Sequence, residues 1–381
     1  MSDRTIIGAI LAAFVIFILY NIFIPRSQIH RMSRPTEYFA EDDIRSKLNT
    51  FIKGLDIPGA IVSVRSKTYP SFLITYGYAD VKNKIPMNPD FIFRIGSVTK
   101  TFVGIIIMQL YQEKLIDLDK PISTYVVGIP NGENITVRDI GLMRSGIFNY
   151  SEDKVVDPLL ENSPQRNWLV SELFAAGITN QPYFAPGQNF KYSNTNTLIL
   201  GLLIERITGN TLGQELEKRI LKPLRMMHTQ METTPNLKRP YTHGYELKNN
   251  VLTDVTNNNP SWTWAAGGMS STVTELETYV RTAFGSNFFM NTDTLNQFYD
   301  WKSNVTDPTY NLKFSYGFQI SKLGSFIGHN GSISGYHTYI LYDPNTDTSI
   351  VISSNMQFNK DKKTPSDEIG KYLVYLLEGV K

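Results

Sequence analysis

The stretch Phe93-Arg-Ile-Gly-Ser-Val-Thr-Lys-Thr-Phe102 runs directly into a second one, Phe102-Val-Gly-Ile-Ile-Ile-Met-Gln-Leu110. The second run is apolar and uncharged, and it reads as a buried helix. If Ser97 opens that helix, Ser97 and Lys100 stand one turn apart on the same face. A hydroxyl and an amine then share the electropositive end of a helix. The macrodipole there disfavours Lys⁺, and burial pushes the lysine the same way, toward the neutral amine. A neutral amine beside a hydroxyl is a general base beside a nucleophile.

The four-residue pattern has little weight alone. Ser151-Glu-Asp-Lys154 also fits it, in a polar stretch with no apolar helix after it. A capping serine followed by a surface lysine gives the same letters. The Ser97 match gains meaning only from what accompanies it.

The chain has 381 residues, 41% hydrophobic and 19% charged, which suits one large globular domain or two small ones. A net charge of +2 with no basic block argues against nucleic acid as a partner. The absence of cysteine excludes disulfides, a thiol nucleophile and a thiolate metal site. No Gly-x-Ser-x-Gly elbow and no His-Glu-x-x-His zinc helix occurs. No metal or other cofactor is expected.

Residues 6–24 carry no charge, and a helix needs about 20 apolar residues to cross a bilayer. Tyr20-Asn-Ile-Phe-Ile-Pro25 offers no small-residue cleavage site. Residues 1–25 therefore read as an uncleaved transmembrane anchor, and the polar, proline-containing residues 26–40 as a linker. A single-pass membrane protein with an extracytoplasmic domain is the expectation, although Arg26, Arg31 and Arg34 follow the span and only Arg4 precedes it. Those flanks would place the C-terminal side in the cytoplasm, so an exported domain has to be argued from chemistry.

From residue 41 onward the pattern is that of one domain, 41–381. Ala40–Lys53 is amphipathic, with Ile44, Leu48, Phe51 and Ile52 on one side. Gly59–Arg65 and Phe72–Tyr78 read as paired strands. Ile135–Met143 starts a second helix capped by Thr136, and residues 147–185 read as an irregular, polar lid or insertion. A long helix covers Thr197–Thr208 and another begins near Thr274. The C-terminal part returns to strands at Tyr316–Ile320, Ser325–His329, Gly335–Tyr342 and Thr348–Ser353, then a closing helix from Pro365 to Gly379. The expected fold class is α+β: an antiparallel sheet formed by the N- and C-terminal segments with flanking helices, plus an all-helical region.

Three local features line up: Ser97-x-x-Lys100, Tyr192-Ser193-Asn194 and His329-Asn330-Gly331. In this order they resemble the penicillin-recognising serine hydrolases, whose Ser-x-x-Lys, Ser-Asp-Asn and Lys-Thr-Gly set they vary. Tyr-x-Asn and His-x-Gly are similar to the branch of class C β-lactamases, D-alanyl-D-alanine carboxypeptidases and related esterases. Gly96-Ser-Val-Thr-Lys-Thr-Phe, Phe184-Ala-Pro-Gly, Gly328-His-Asn-Gly and Gly335-Tyr agree, and the likeness covers about residues 40–379.

The resemblance implies a serine acyl-hydrolase working through an acyl-enzyme on Ser97. It implies a D-alanyl-D-alanine carboxypeptidase-like peptidase first, with an esterase or class C-type β-lactamase as the alternative. A catalytically silent binding protein on the same fold is the alternative of another class. The substrate would be a small peptide, an ester or a β-lactam. Either Lys100 or Tyr192 takes the proton of Ser97, the latter if a nearby Lys⁺ acidifies its phenol. Tyr192 then passes the proton to the leaving group. His329 completes the catalytic set, and the backbone N–H groups of Ser97 and Ser332 form the oxyanion hole. Asn194, Asn330, Gly331 and Trp262 are the expected substrate contacts, with Gly331 letting a substrate lie close to the strand edge. His337, on the strand Gly335–Tyr342, reads as structural.

Two departures from the family pattern bear on specificity. Carboxypeptidases of this branch hold the substrate carboxylate with an arginine on the strand before His-x-Gly. Here that strand reads Gln319-Ile-Ser-Lys322, with Lys322 expected one residue off and facing away. Met143-Arg-Ser-Gly146 also replaces the His-Thr-Ser-Gly of relatives.

Overall fold

The computed structural model describes residues 41–378 apart from 233, 308, 310 and 311. The expected anchor, 1–25, and linker, 26–40, lie outside the described residues. Among the described residues no helix is long and apolar enough to cross a membrane.

Both ends of the domain enter one sheet. The N-terminal part supplies β1 (Gly59–Arg65), β2 (Phe72–Asp80) and β3 (Ile85–Pro86). The C-terminal part supplies β4 (Lys302–Asp307), β5 (Leu312–Tyr316), β6 (Ser321–Leu323), β7 (Phe326–Ile333), β8 (Tyr336–Asp343) and β9 (Thr348–Ser354). The nine strands run in the order β3-β2-β1-β9-β8-β7-β6-β5-β4, with antiparallel neighbours. The α+β reading of a sheet built from both termini is what the structure has.

The central strands are buried on both faces, and the period of two sorts their side chains. Ile61, Ile327, Ile333, Ile340 and Val351 enter the larger core. Ala60, Val62, Phe326, Tyr339, Leu341, Ile350 and Ile352 enter a second core on the opposite face. Burying one such side chain is worth about 2 kcal/mol, so a one-residue slip that exchanged the faces would be strongly disfavoured.

The second core is closed by α1 (Glu41–Gly54), through Ile44, Leu48 and Ile52, and by the C-terminal helix Pro365–Glu378, through Ile369, Leu373 and Val374. The larger core is built around α2 (Thr99–Gln112), whose Phe102, Val103, Ile105, Ile106 and Ile107 are fully buried. This helix starts later than expected: Ser97 sits in a single 3-10 turn, Gly96–Val98, that leads into it. The approach Phe93–Arg94 is held in a small three-stranded sheet with Met269–Ser271 and Gln230–Met231.

Other expectations change. Residues 147–185 are not irregular throughout; they contain helices Val156–Asn162 and Val170–Thr179. Tyr150, Val156, Trp168 and Leu173 pack there on Leu198 of α3 (Asn194–Thr208), and this small core gives the segment its order. Tyr316–Ile320 is not a strand: β5 ends at Tyr316 and the chain turns. Gln319 has φ 59° in that turn, and its buried amide is bonded to Thr197 and to the Gly141 carbonyl. Those tertiary bonds hold a backbone conformation that no local pattern favours.

Lys322 is also corrected. It pairs with Ile327, which shares a face of β7 with His329, while its neighbour Leu323 enters the opposite core. Lys322 therefore faces the same side of the sheet as His329, with its amine 5.8 Å from the centre of the Trp301 ring.

Candidate active site

Ser97 is presented by a turn pressed against β7. Gly96 has φ +51°, and a Cβ there would stand 2.8 Å from the Ser332 nitrogen. A Cβ on Gly331 would stand 1.9 Å from the Ile95 carbonyl oxygen. Two missing side chains thus let backbone pack on backbone, which sets the Ser97 turn alongside Ser332. Gly331 serves this contact.

Lys100 lies in the first turn of α2 and is fully buried. Its Nζ stands 2.8 Å from Asn194 Oδ1, 2.5 Å from the Ala266 carbonyl and 3.1 Å from Ser97 Oγ. Burial holds its pKa well below the usual lysine range. A neutral amine has two N–H groups and one lone pair. With the two carbonyl-type oxygens accepting the N–H groups, the lone pair is left for the hydroxyl of Ser97.

Tyr192 lies on the extended approach to α3, with its ring centre 5.0 Å from Lys100 Nζ. Burial raises its phenol above the ordinary range, and a hydrogen bond with Ser97 acts the other way.

His329, on β7, is buried and donates Nδ1–H to the carbonyl of Asn330. That bond leaves Nε2 as an acceptor, and Nε2 is buried without a partner. Burial first, then the field of Lys100, push the imidazole pKa down to about 3. Its ring centre is 6.2 Å from Tyr192 and 6.0 Å from Tyr316.

Ser97, Lys100, Tyr192, His329, Asn194 and the Ser332 backbone are therefore brought together. Asn194 is used differently from expectation: Oδ1 is engaged by Lys100, and Nδ2 donates to Ser151 Oγ at 3.2 Å. Asn330 faces the other way. Its amide is bonded to both carboxylate oxygens of Asp367, at 3.0 and 2.9 Å, on the face opposite His329. Trp262 is half-buried between the larger core and the small core around Tyr150 and Trp168. Arg144 is bonded to the Gly187 carbonyl.

Several contributors were not legible in the chain. The Ala266 carbonyl carries no sequence signal. Asn149 accepts the Asn194 N–H at 3.0 Å and so caps α3 from a distant segment. Ser151, half of the rival Ser-x-x-Lys pattern, stands at the site through Asn194. Among the described residues no group of His, Asp and Glu could hold a metal ion.

The fold, the motif order and this geometry define a serine hydrolase of the β-lactamase and penicillin-binding-protein type, and the family profile named Beta-lactamase matches residues 44–373, so the chain belongs to that family. Among curated relatives it is similar to Protein flp of Staphylococcus aureus (strain N315), 26% identical over 79% of this chain. It is also similar to the putative penicillin-binding protein PbpX of Bacillus subtilis (strain 168), 24% identical over 83% of this chain and 75% of that one. The chain spans about three fifths of Protein flp, 60%. Among solved structures, a D-stereospecific amidohydrolase from Streptomyces sp. superposes with a TM-score of 0.76 at 27% identity, over 86% of this chain and 97% of that one. The penicillin binding protein from Bacillus halodurans superposes with a TM-score of 0.72 at 18% identity, over 88% and 99%; at that identity the likeness speaks for the fold alone.

Proposed function

We propose that the protein hydrolyses a D-amino-acid amide or peptide bond through an acyl-enzyme on Ser97, as a D-alanyl-D-alanine carboxypeptidase-like peptidase. The observation that carries this reading is the buried Lys100 amine, with its N–H groups on Asn194 and Ala266 and its lone pair toward Ser97. Lys100 takes the proton of Ser97 as the hydroxyl oxygen attacks the carbonyl carbon. Backbone N–H groups of Ser97 and Ser332 receive the oxyanion. Tyr192, a neutral phenol, relays a proton to the leaving nitrogen. His329 Nε2, a buried acceptor without a protein partner, accepts a hydrogen bond from the substrate or the attacking water. Water then attacks the acyl-enzyme, and Ser97 regains its proton.

The relative named as a D-stereospecific amidohydrolase supports a D-configured amide substrate. Lys322, on the His329 side of the sheet, is the cation we assign to a substrate carboxylate. Residues 6–24 would anchor the domain outside the cytoplasm, where such peptides occur; protease treatment of intact cells should degrade the domain, and protection would count against that topology.

The test is a labelled penicillin followed by digestion. A covalent label on the peptide containing Ser97 is expected, and an unlabelled Ser97 would sink the reading. A panel of D-alanyl-D-alanine peptide, D-amino-acid amide, short-chain ester and cephalosporin then ranks the activities. Faster turnover of the ester or the cephalosporin would favour an esterase or a β-lactamase.

A further inference from the structure

The segment His329-Asn330-Gly331-Ser332 is held from its two sides by different means. On the Ser97 side the contact is backbone against backbone, through Gly96 and Gly331, and no side chain at either position can grip. On the other side the grip is chemical. The amide of Asn330 donates to both oxygens of Asp367, at 3.0 and 2.9 Å. Asp367 lies in the first turn of the C-terminal helix, where the helix end favours a carboxylate. Its Oδ2 also accepts the Thr364 hydroxyl at 2.8 Å. The adjacent Ser366 donates to the carbonyl of His337 at 2.7 Å, and His337 is the residue paired with Ser332 across the ladder. The N-terminus of one helix thus ties down β7, which carries the Ser332 N–H, and β8 beside it.

We propose that Asp367 is a positioning residue for the oxyanion hole. Its carboxylate fixes Asn330 laterally, and through the intervening glycine it fixes the Ser332 N–H relative to Ser97. Asn330 on this view serves the strand and does not meet substrate. The proposal rests on Ser97 being the nucleophile. A glycine at 331 makes the device necessary, because the residue that must lie flat against Ile95 cannot anchor itself.

The experiment uses the full chain and two readouts: the acylation rate constant with a labelled penicillin, per folded molecule, and deuterium uptake of peptides spanning 326–333. Asp367→Ala should acylate about tenfold more slowly with unchanged affinity for the penicillin, a loss equal to one charge-assisted hydrogen bond. Uptake in 326–333 should become faster. The reciprocal exchange, Asn330→Asp with Asp367→Asn, rebuilds a carboxylate–amide pair and should recover both readouts to within about threefold. Wild-type acylation in folded Asp367→Ala would overturn the proposal, as would an exchange pair no better than the single variant. If Asp367→Ala does not fold, Asp367→Asn takes its place in the same comparison. If the wild-type protein takes no label, the nucleophile reading falls, and uptake alone decides whether Asp367 anchors the strand: unchanged uptake overturns it.

Discussion

Ser97-Val-Thr-Lys100 and Ser151-Glu-Asp-Lys154 have the same letters at the same spacing and different surroundings. Lys100 is fully buried at the start of a helix and meets oxygens of Asn194 and Ala266. Lys154 is exposed, just past the short turn Tyr150–Glu152. Burial destabilises the ammonium form of Lys100 and leaves a lone pair beside a hydroxyl. The difference between the proposed base and a surface lysine is therefore supplied by the environment. The second motif is not idle, however, since Ser151 bonds the same Asn194 that holds Lys100. One serine is read as reacting; the other supports the amide that orients the base.

The largest expected effect breaks the comparison outright. Ser97→Ala should abolish penicillin labelling and hydrolysis together, while the fold, followed by circular dichroism, is retained. Next comes the proposed base. Lys100→Ala should slow acylation by about 100-fold or more, in the range of a lost general base, whereas Lys154→Ala should acylate at the wild-type rate. Stopped-flow labelling of both variants makes the contrast, and equal effects would remove the distinction drawn between the two lysines.

A third prediction concerns the aversion of the first site to charge. His329 has its folded pKa pushed from 6.5 down to about 3. Between these values the unfolded chain binds the proton and the folded one does not, so stability rises with pH across that window. Above 6.5 the group makes no difference; as pH falls toward 3 a few kcal/mol are progressively lost. Urea unfolding at several pH values should show this slope, and His329→Gln should flatten it. A variant as acid-sensitive as the wild type would put the lost stability elsewhere. The smallest effect belongs to Ser151. Ser151→Ala frees the Asn194 amide and should slow acylation about threefold, the scale of one neutral hydrogen bond. A loss as large as that of Lys100→Ala would give the second motif a direct part in the chemistry.

Much of the fold was legible because it follows local periodicity. The amphipathic α1 face of Ile44, Leu48 and Ile52, the mostly apolar run along β1, and the Thr136 cap at Val137–Gly141 are all written in neighbouring residues. The turn after Tyr316 and the helices at Val156–Asn162 and Val170–Thr179 were not. Their order comes from partners far along the chain, such as Thr197 with Gln319 and Leu198 with Trp168. The site divides the same way. Its residue types were readable from motif order. The Ala266 carbonyl, the Asn149 cap and the turning of Asn330 toward Asp367 depend on long-range packing and leave no pattern behind.

By itself, then, the sequence determined the α+β class and the central helix, because periodicity is a property of neighbouring residues, and through resemblance to the family it pointed to Ser97, Lys100, Tyr192 and His329 as candidates. Only the tertiary structure decided that Lys100 is dry enough to be neutral, that Gly331 packs against Ile95 and that Lys322 shares a face with His329. Burial, close approach and strand register arise between residues tens to hundreds of positions apart, and a pKa follows from them rather than from the letters on either side.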